Sequence, residues 1–183
     1  MGTRGLRWVA ASLVALWFGG GDAALGQQAA SAADPLAKLS IQKGELAWDD
    51  VALGMSLVHA ERVIGVTLAI DHGTGESPCA TWTATADREG LQLTLGFETP
   101  KPGAKLAWLR VRFEGDQILA SGRQLADALK GHFPDATWVQ PKETPSLEDD
   151  LRPVFSVPGT KEPELVQFAP RESMVLARNG CIR

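Results

Sequence analysis

The sequence contains few of the side chains from which metal sites and catalytic centres are usually built. Its 183 residues include three histidines and two cysteines. The histidines, His59, His72 and His132, stand far apart, whereas zinc ligands usually recur at short, characteristic spacings. No G-x-S-x-G motif, Walker-type loop or G-x-G-x-x-G pattern follows a strand-like segment. We therefore expect no metal, no cofactor and no catalytic residue, and we do not expect an enzyme.

One loop offers an alternative, because it places a histidine close to carboxylates. His72 directly follows Asp71 and precedes Glu76, with two glycines between them. A histidine beside a carboxylate can bind a metal or transfer protons, so an envelope hydrolase that uses the His72 loop is the alternative function. Glycine and aspartate are also typical turn residues, and we favour an ordinary turn between strands.

The only long apolar run lies at the amino terminus. Two arginines in the first seven residues precede an apolar segment at 8–18, and Ala24 and Gly26 would flank a cleavage site before Gln27. This order is typical of a secretory signal peptide, here residues 1–26. The run is shorter than the roughly 20 residues that span a bilayer, and no cysteine follows it for lipid attachment. We expect a periplasmic or secreted protein with no membrane span in the mature chain.

The charge balance is weakly acidic. The chain has 18 Lys and Arg against 22 Asp and Glu, a net charge of −4. Loss of the signal peptide would remove Arg4, Arg7 and Asp22 and change the net charge to −5. Binding to a phosphate backbone needs clustered cations. We therefore expect no nucleic-acid partner.

The two cysteines, Cys79 and Cys181, have no C-x-x-C spacing. In an exported chain an even number of cysteines indicates a structural disulfide, which here would close a loop of about 100 residues. Two free thiols, one of them nucleophilic, are the alternative. No histidine lies close in sequence to activate either thiol, and we favour the disulfide.

Composition divides the mature chain into a leader and one domain. Residues 27–45 are rich in Ala, Ser and Gln without a sustained period, which is typical of a flexible segment. The remaining residues, 46–183, are of single-domain size. We expect a flexible leader at 27–45 and a disulfide-closed domain at 46–183.

Two short helices are predicted in this domain. Ser56 can cap a helix at 57–64, and Gly65 can end it in the left-handed region. A second helix is expected at 123–132, where Ser121 and Gln124 match a capping box.

Strand-like runs follow each helix. Leu91, Leu93 and Leu95 alternate with polar residues, and the next run alternates in the same way. Period-2 alternation indicates one buried and one solvated face. The six predicted strands lie at 80–86, 91–97, 106–114, 154–157, 165–168 and 174–178.

The two halves of the domain resemble each other. Ser56 aligns with Ser121 at an offset of 65, and each half has a helix followed by three strands. The predicted fold is α+β, with a single antiparallel sheet and two short helices packed on one face, in two tandem helix-plus-strands repeats.

The polar face of the third strand is the candidate binding surface. Leu109 and Val111 are expected to face the core. Because side chains alternate along a strand, Trp108, Arg110 and Arg112 are then expected on the solvated side. Trp and Arg are enriched among interface residues that dominate binding energy, so we predict that these three bind a partner. The alternative is that Trp108 lies under a loop or the leader. In that case the two arginines would pair with Glu98 and Glu114 across strands.

A local motif suggests a family. The Gly54-Met55-Ser56 segment opens a short helix that ends at Gly65 and precedes a meander, and it resembles the periplasmic SmpA/OmlA-like domains. A doubled unit with a disulfide resembles the fold of the β-lactamase inhibitor proteins. The resemblance implies a non-catalytic module of the periplasm or cell envelope that binds another protein. Such a module could be an inhibitor or immunity protein acting on a hydrolase or toxin, or a structural accessory of an envelope complex.

Overall fold

Strands account for most of the regular structure in the residues that the structure describes. A computed structural model describes residues 35–73, 78–113, 122–139, 154–169 and 172–182. These residues form a short 3-10 helix at Pro35–Lys38 (η1) and α-helices at Leu57–Ile64 (α1) and Gly122–His132 (α2). The strands in the same residues are Leu39–Gln42 (β1), Glu45–Trp48 (β2), Val51–Ala52 (β3), Asp71–His72 (β4), Trp82–Arg88 (β5), Leu91–Phe97 (β6), Leu106–Arg112 (β7), Thr137–Val139 (β8), Val154–Val157 (β9), Glu164–Ala169 (β10) and Ser173–Arg178 (β11).

The strands form a main sheet and a small sheet. The main sheet has eight strands in the order β4-β5-β6-β7-β11-β10-β9-β8, and the small sheet has the order β1-β2-β3. Every pairing is antiparallel. The main sheet therefore consists of two four-stranded meanders, each preceded by a helix. The last strands of the two meanders, β7 and β11, pair in the middle of the sheet.

The predicted α+β fold with a single sheet is wrong, because the small sheet is a second one and the described structure is mostly β. The small sheet was not predicted because of the tight turn between its first two strands. Lys43 and Gly44 join β1 to β2 with φ values of 56° and 81°, which suits a two-residue hairpin turn. A Lys-Gly pair is a weaker hairpin signal than Asn-Gly or Asp-Gly, and the hairpin was therefore missed.

The predicted flexible leader is also wrong over part of its length. Residues 35–42 form η1 and β1, and β1 pairs with β2 from Leu39 to Gln42. Leu36 and Leu39 are buried in the main core. The segment has few apolar side chains, but these pack against the hydrophobic residues of the main core. Their burial favours an ordered segment. Residues 43–45 of the predicted leader form the turn and the start of β2. Residues 27–34 and the predicted signal peptide lie outside the described residues.

The main core lies on one face of the main sheet. Leu93, Leu95 and Leu109 from the main sheet pack in one cluster with Trp48 of the small sheet, which is fully buried. The helices contribute Leu57, Ala60 and Leu129 to the same cluster. Alternation along β6 and β7 thus correctly identifies the side chains that face the core.

Helix α1 confirms the prediction in its bounds and its caps. The Ser56 side chain accepts a hydrogen bond from the His59 amide at 3.3 Å. Gly65 has φ 85°, and its amide donates to the Glu61 carbonyl at 2.8 Å. Helix α2 matches the second predicted helix to within a residue, whereas its predicted capping residue Ser121 lies outside the described residues. No helix among the described residues is long and apolar enough to cross a membrane.

Candidate functional site

The face of the main sheet opposite the core, which we call the outer face, displays the two candidate arginines. Arg110 lies on β7 between Thr94 of β6 and Val175 of β11, and Val175 in turn lies opposite Gln167 of β10. All four side chains are half-buried. Directly opposed residues in an antiparallel pair share a face, so these side chains form one row across the middle of the sheet.

A second row runs beside the first. Arg112 lies opposite Gln92 of β6 and Ser173 of β11, and Ser173 lies opposite Ala169 of β10. The two rows enclose a depression of about 390 Å³ on the outer face, lined by Arg110, Arg112, Gln167, Ala169, Glu172, Ser173 and Val175. The described lining therefore holds two guanidinium groups and one carboxylate, that of Glu172.

Trp108 shares the outer face, but the expectation that its ring is exposed is wrong. The residue is only 2% exposed, and it belongs to a second, smaller core with Ala80, Ala177 and Cys181. Its indole Nε1 donates to the Ala80 carbonyl at 3.5 Å. The alternation placed the ring on the correct side of the strand, and the chain around the two cysteines then covers it. The alternative interpretation, in which Trp108 lies under a loop, describes the surroundings of the ring better.

A glycine opposite Trp108 gives the ring its space. Gly96 of β6 is the direct cross-strand partner of Trp108. A Cβ added at Gly96 would overlap the indole ring. A glycine inside a strand often marks a close approach of this kind. This glycine is a sequence signal that a large side chain lies over that position of the sheet.

The two cysteines join the second core to the end of the chain. Cys79 and Cys181 form a disulfide across 102 residues, with their Cα atoms 5.0 Å apart, which is within the usual range. The predicted pairing is therefore confirmed. Ala80 and Cys181 are buried beside Trp108, so the bridge fixes the cover over the ring.

Loss of this disulfide is expected to destabilise the protein. We expect the Cys79→Ser, Cys181→Ser double variant to lose about 2–5 kcal/mol of unfolding free energy, since the unfolded chain gains the freedom of a large loop. Urea unfolding measures this change. The wild-type protein in excess reductant is the matched control, and it should lose a similar amount. A denaturation midpoint that does not change in either sample would contradict the prediction.

Trp108 also positions Arg110. The guanidinium carbon of Arg110 lies 5.8 Å from the centre of the Trp108 ring, a distance that permits a cation–π interaction. Arg112 is exposed. Glu98, one of the expected partners of these arginines, lies instead 4.0 Å from Arg178, and Glu114 lies outside the described residues. The outer face thus holds one arginine oriented by a buried ring and one at the surface.

The three histidines lie in separate parts of the fold. His72 is in β4 and packs edge-on against Trp82 with 5.1 Å between the ring centres. His59 is exposed on α1, and His132 ends α2. Over the ranges that the structure describes, no three His, Cys, Asp or Glu side chains come close enough to hold a metal ion. The carboxylate expected in the His72 loop, Glu76, lies outside those ranges.

One buried carboxyl was not identified from the sequence. Glu164 opens β10 and is 1% exposed, and its carboxyl accepts a hydrogen bond from the Leu46 amide of β2. Burial, together with the neighbouring Glu45, raises the pKa of this carboxyl to about 8, against the opposing effects of the Leu46 amide and Arg178. Glu164 therefore links the two sheets as a protonated acid at neutral pH.

Comparison with protein-family models, with curated proteins and with solved structures gave no match. The resemblance based on Gly54-Met55-Ser56 therefore stays a prediction.

Proposed function

We propose that the mature chain is an exported, non-catalytic module that binds another protein through the outer face of its main sheet. Arg110 and Arg112 would contact the partner directly, and Trp108 would hold Arg110 in place from below. The single observation that supports this best is the position of the two arginines beside a depression on the central strands.

The location suits a binding surface because β7 and β11 are the fourth and fifth of eight strands. Central strands are paired on both sides, so their backbone needs little further ordering when a partner binds. Residues that dominate binding energy also tend to lie near the centre of an interface, and arginine is frequent among them. Arg110 has a half-buried apolar neighbour in Val175, which gives the surface both charge and apolar area.

The chemistry of the depression favours a partner with an acidic side chain. Two guanidinium groups face one carboxylate, Glu172, among the described lining residues. A guanidinium binds a carboxylate through two parallel hydrogen bonds. We infer that a loop of the partner places Asp or Glu between Arg110 and Arg112.

The proposed location of the protein, outside the cytoplasm, rests on two features. The first 26 residues have the order of a secretory signal, and the Cys79–Cys181 disulfide is of the kind that persists in oxidising compartments. An inhibitor or immunity protein that acts on a secreted hydrolase or toxin would use such a surface. An envelope accessory would use it in the same way.

The test is capture of a partner by variants of the outer face. We expect the Arg110→Ala, Arg112→Ala double variant to bind its partner at least about tenfold more weakly than wild type, since each lost charged hydrogen bond is worth about 1.5–3 kcal/mol. Immobilised wild-type protein is used to capture and identify the partner from periplasmic extract, and the purified partner is then titrated by calorimetry.

The matched control removes two positive charges elsewhere. Arg62 and Lys101 are exposed and lie outside the depression, so the Arg62→Ala, Lys101→Ala variant should bind as wild type does. The single Arg112→Ala variant separates binding from stability, because this exposed side chain contributes little to packing. Equal binding by both double variants would contradict the proposal, and so would the absence of any protein captured by wild type.

A further inference from the structure

A second concave surface lies where the β1–β2 turn approaches the start of α1. We call it the basic groove. Its volume is about 630 Å³, and its lining includes the 52–55 segment with Gly54 of the Gly-Met-Ser motif. Its charged lining residues are Lys43, Glu45, Asp50, Lys105, Lys161 and Arg178. The four cations come from four separate segments of the chain.

Cations exceed carboxylates in the basic groove. Glu45 is shared between Lys161, at 3.5 Å, and Arg178, at 3.9 Å. Asp50 lies 3.9 Å from Arg88, which is outside the groove. The lining therefore has two more cations than carboxylates, although the whole chain has a net charge of −4. A concave surface with an excess of one charge concentrates ions of the opposite sign.

Gly54 leaves room for the guanidinium of Arg178 in the lining of the groove. Its φ is 74°, and a Cβ added there would lie 2.7 Å from Nη2 of Arg178. The ion pairs of Arg178 with Glu45 and Glu98 are long, at 3.9 and 4.0 Å. Charged hydrogen bonds to a ligand are typically shorter, near 2.7–2.9 Å, so a bound anion can compete for these donors.

The backbone amides at the start of α1 can donate few hydrogen bonds to an anion in the groove. The Leu57 amide already donates to the Ala104 carbonyl at 3.0 Å, and the His59 amide donates to Ser56 Oγ at 3.3 Å. An anion in the groove must therefore be held by side chains. A guanidinium fork and several ammonium groups match the oxygens of a phosphate group.

We propose that the basic groove binds a phosphate monoester through Arg178, with Lys43, Lys105 and Lys161 around it. The groove is larger than a phosphate ion and falls in the size range of sites for small organic ligands, so the phosphate is attached to a larger group. That group is either a soluble ester or the headgroup of an anionic lipid. This site is independent of the outer face and of the partner proposed for it.

The experiment titrates the full mature chain with glycerol 3-phosphate at constant ionic strength and follows backbone amide signals by NMR. Saturable shifts are expected at Gly44, Gly54 and Lys105. The Lys43→Gln, Lys105→Gln variant should weaken binding by about tenfold or more, because each exposed ammonium gives a charged contact. The matched control is the Lys101→Gln, Lys130→Gln variant, which removes two exposed lysines outside the groove and should bind as wild type does.

A second arm distinguishes the two sources of phosphate. Vesicles of phosphatidic acid present the same phosphate on a lipid, and vesicles of phosphatidylcholine serve as their control. Flotation with phosphatidic acid vesicles alone supports a lipid headgroup, whereas shifts with glycerol 3-phosphate and no flotation support a soluble ester. The proposal is overturned if neither probe binds, if the shifts lie elsewhere, or if both double variants weaken binding equally.

Discussion

Replacement of Trp108 by alanine is expected to lower the unfolding free energy by about 3–5 kcal/mol, the usual cost of truncating a large buried aromatic side chain. The ring is 2% exposed and packs with Ala80, Ala177 and Cys181. Its small neighbours cannot fill the space that the ring leaves, and the Ala80 carbonyl loses its hydrogen bond from the indole. Urea unfolding at neutral pH measures the loss.

The control is the same substitution at an exposed tryptophan. Trp138 lies on the edge strand β8 with 40% of its surface exposed, and Trp138→Ala should cost less than about 1.5 kcal/mol. A stable Trp108→Ala variant would show that the ring is not part of a core.

A second substitution at Trp108 tests its role in partner binding. If Trp108 only positions Arg110, Trp108→Phe should preserve both folding and partner affinity better than alanine does.

The stability of the protein is expected to fall as the pH rises from about 4.5 towards about 8, because of Glu164. Burial holds the pKa of this carboxyl at about 8, above its ordinary value of 4.5. Between these two values the unfolded chain releases the proton and the folded protein keeps it. The slope is then about 1.4 kcal/mol per pH unit. The stability from this group is complete below pH 4.5 and is lost by about pH 8.

A Glu164→Gln variant should remove this slope. The amide stays neutral and can still accept the hydrogen bond from the Leu46 amide, so at pH 8 the variant should be more stable than wild type by up to roughly 4 kcal/mol. Urea unfolding of both proteins from pH 4.5 to 8.5 gives the difference. Glu162→Gln is the control, since Glu162 is exposed two residues away. Parallel pH profiles for wild type and Glu164→Gln would refute the assignment.

Local signals in the sequence correctly located most of the regular structure. The caps of α1 are both within one residue of the helix, so Ser56 and Gly65 identify its ends without knowledge of the rest of the chain. The strict alternation of β6 and β7 identifies their buried faces in the same way. The strands that were not predicted, β1, β2, β3, β4 and β8, each have four residues or fewer. β3 and β4 have two residues each, which is too few for any period to show.

The features that were not predicted depend on partners that are distant in the sequence. The cover over Trp108 comes from residues near Ala80 and from the last residues of the chain. Glu164 is buried because β2, 118 residues away, supplies an amide to it. An acidic residue before a strand otherwise suggests a solvated end. Alternation shows on which side of a sheet a residue lies, but not whether another segment covers that side.

The pairing of β7 with β11 has a consequence for how the chain is made. β11 is the last of the described strands along the chain, yet it occupies an inner position in the main sheet, and Cys181 follows it by three residues. A nascent chain that ends before β11 cannot join its two meanders or close its covalent loop. Contacts of such long sequence separation also form slowly. The complete main sheet therefore forms only after β11 is present, whereas β4, β5, β6 and β7 can pair with one another before it.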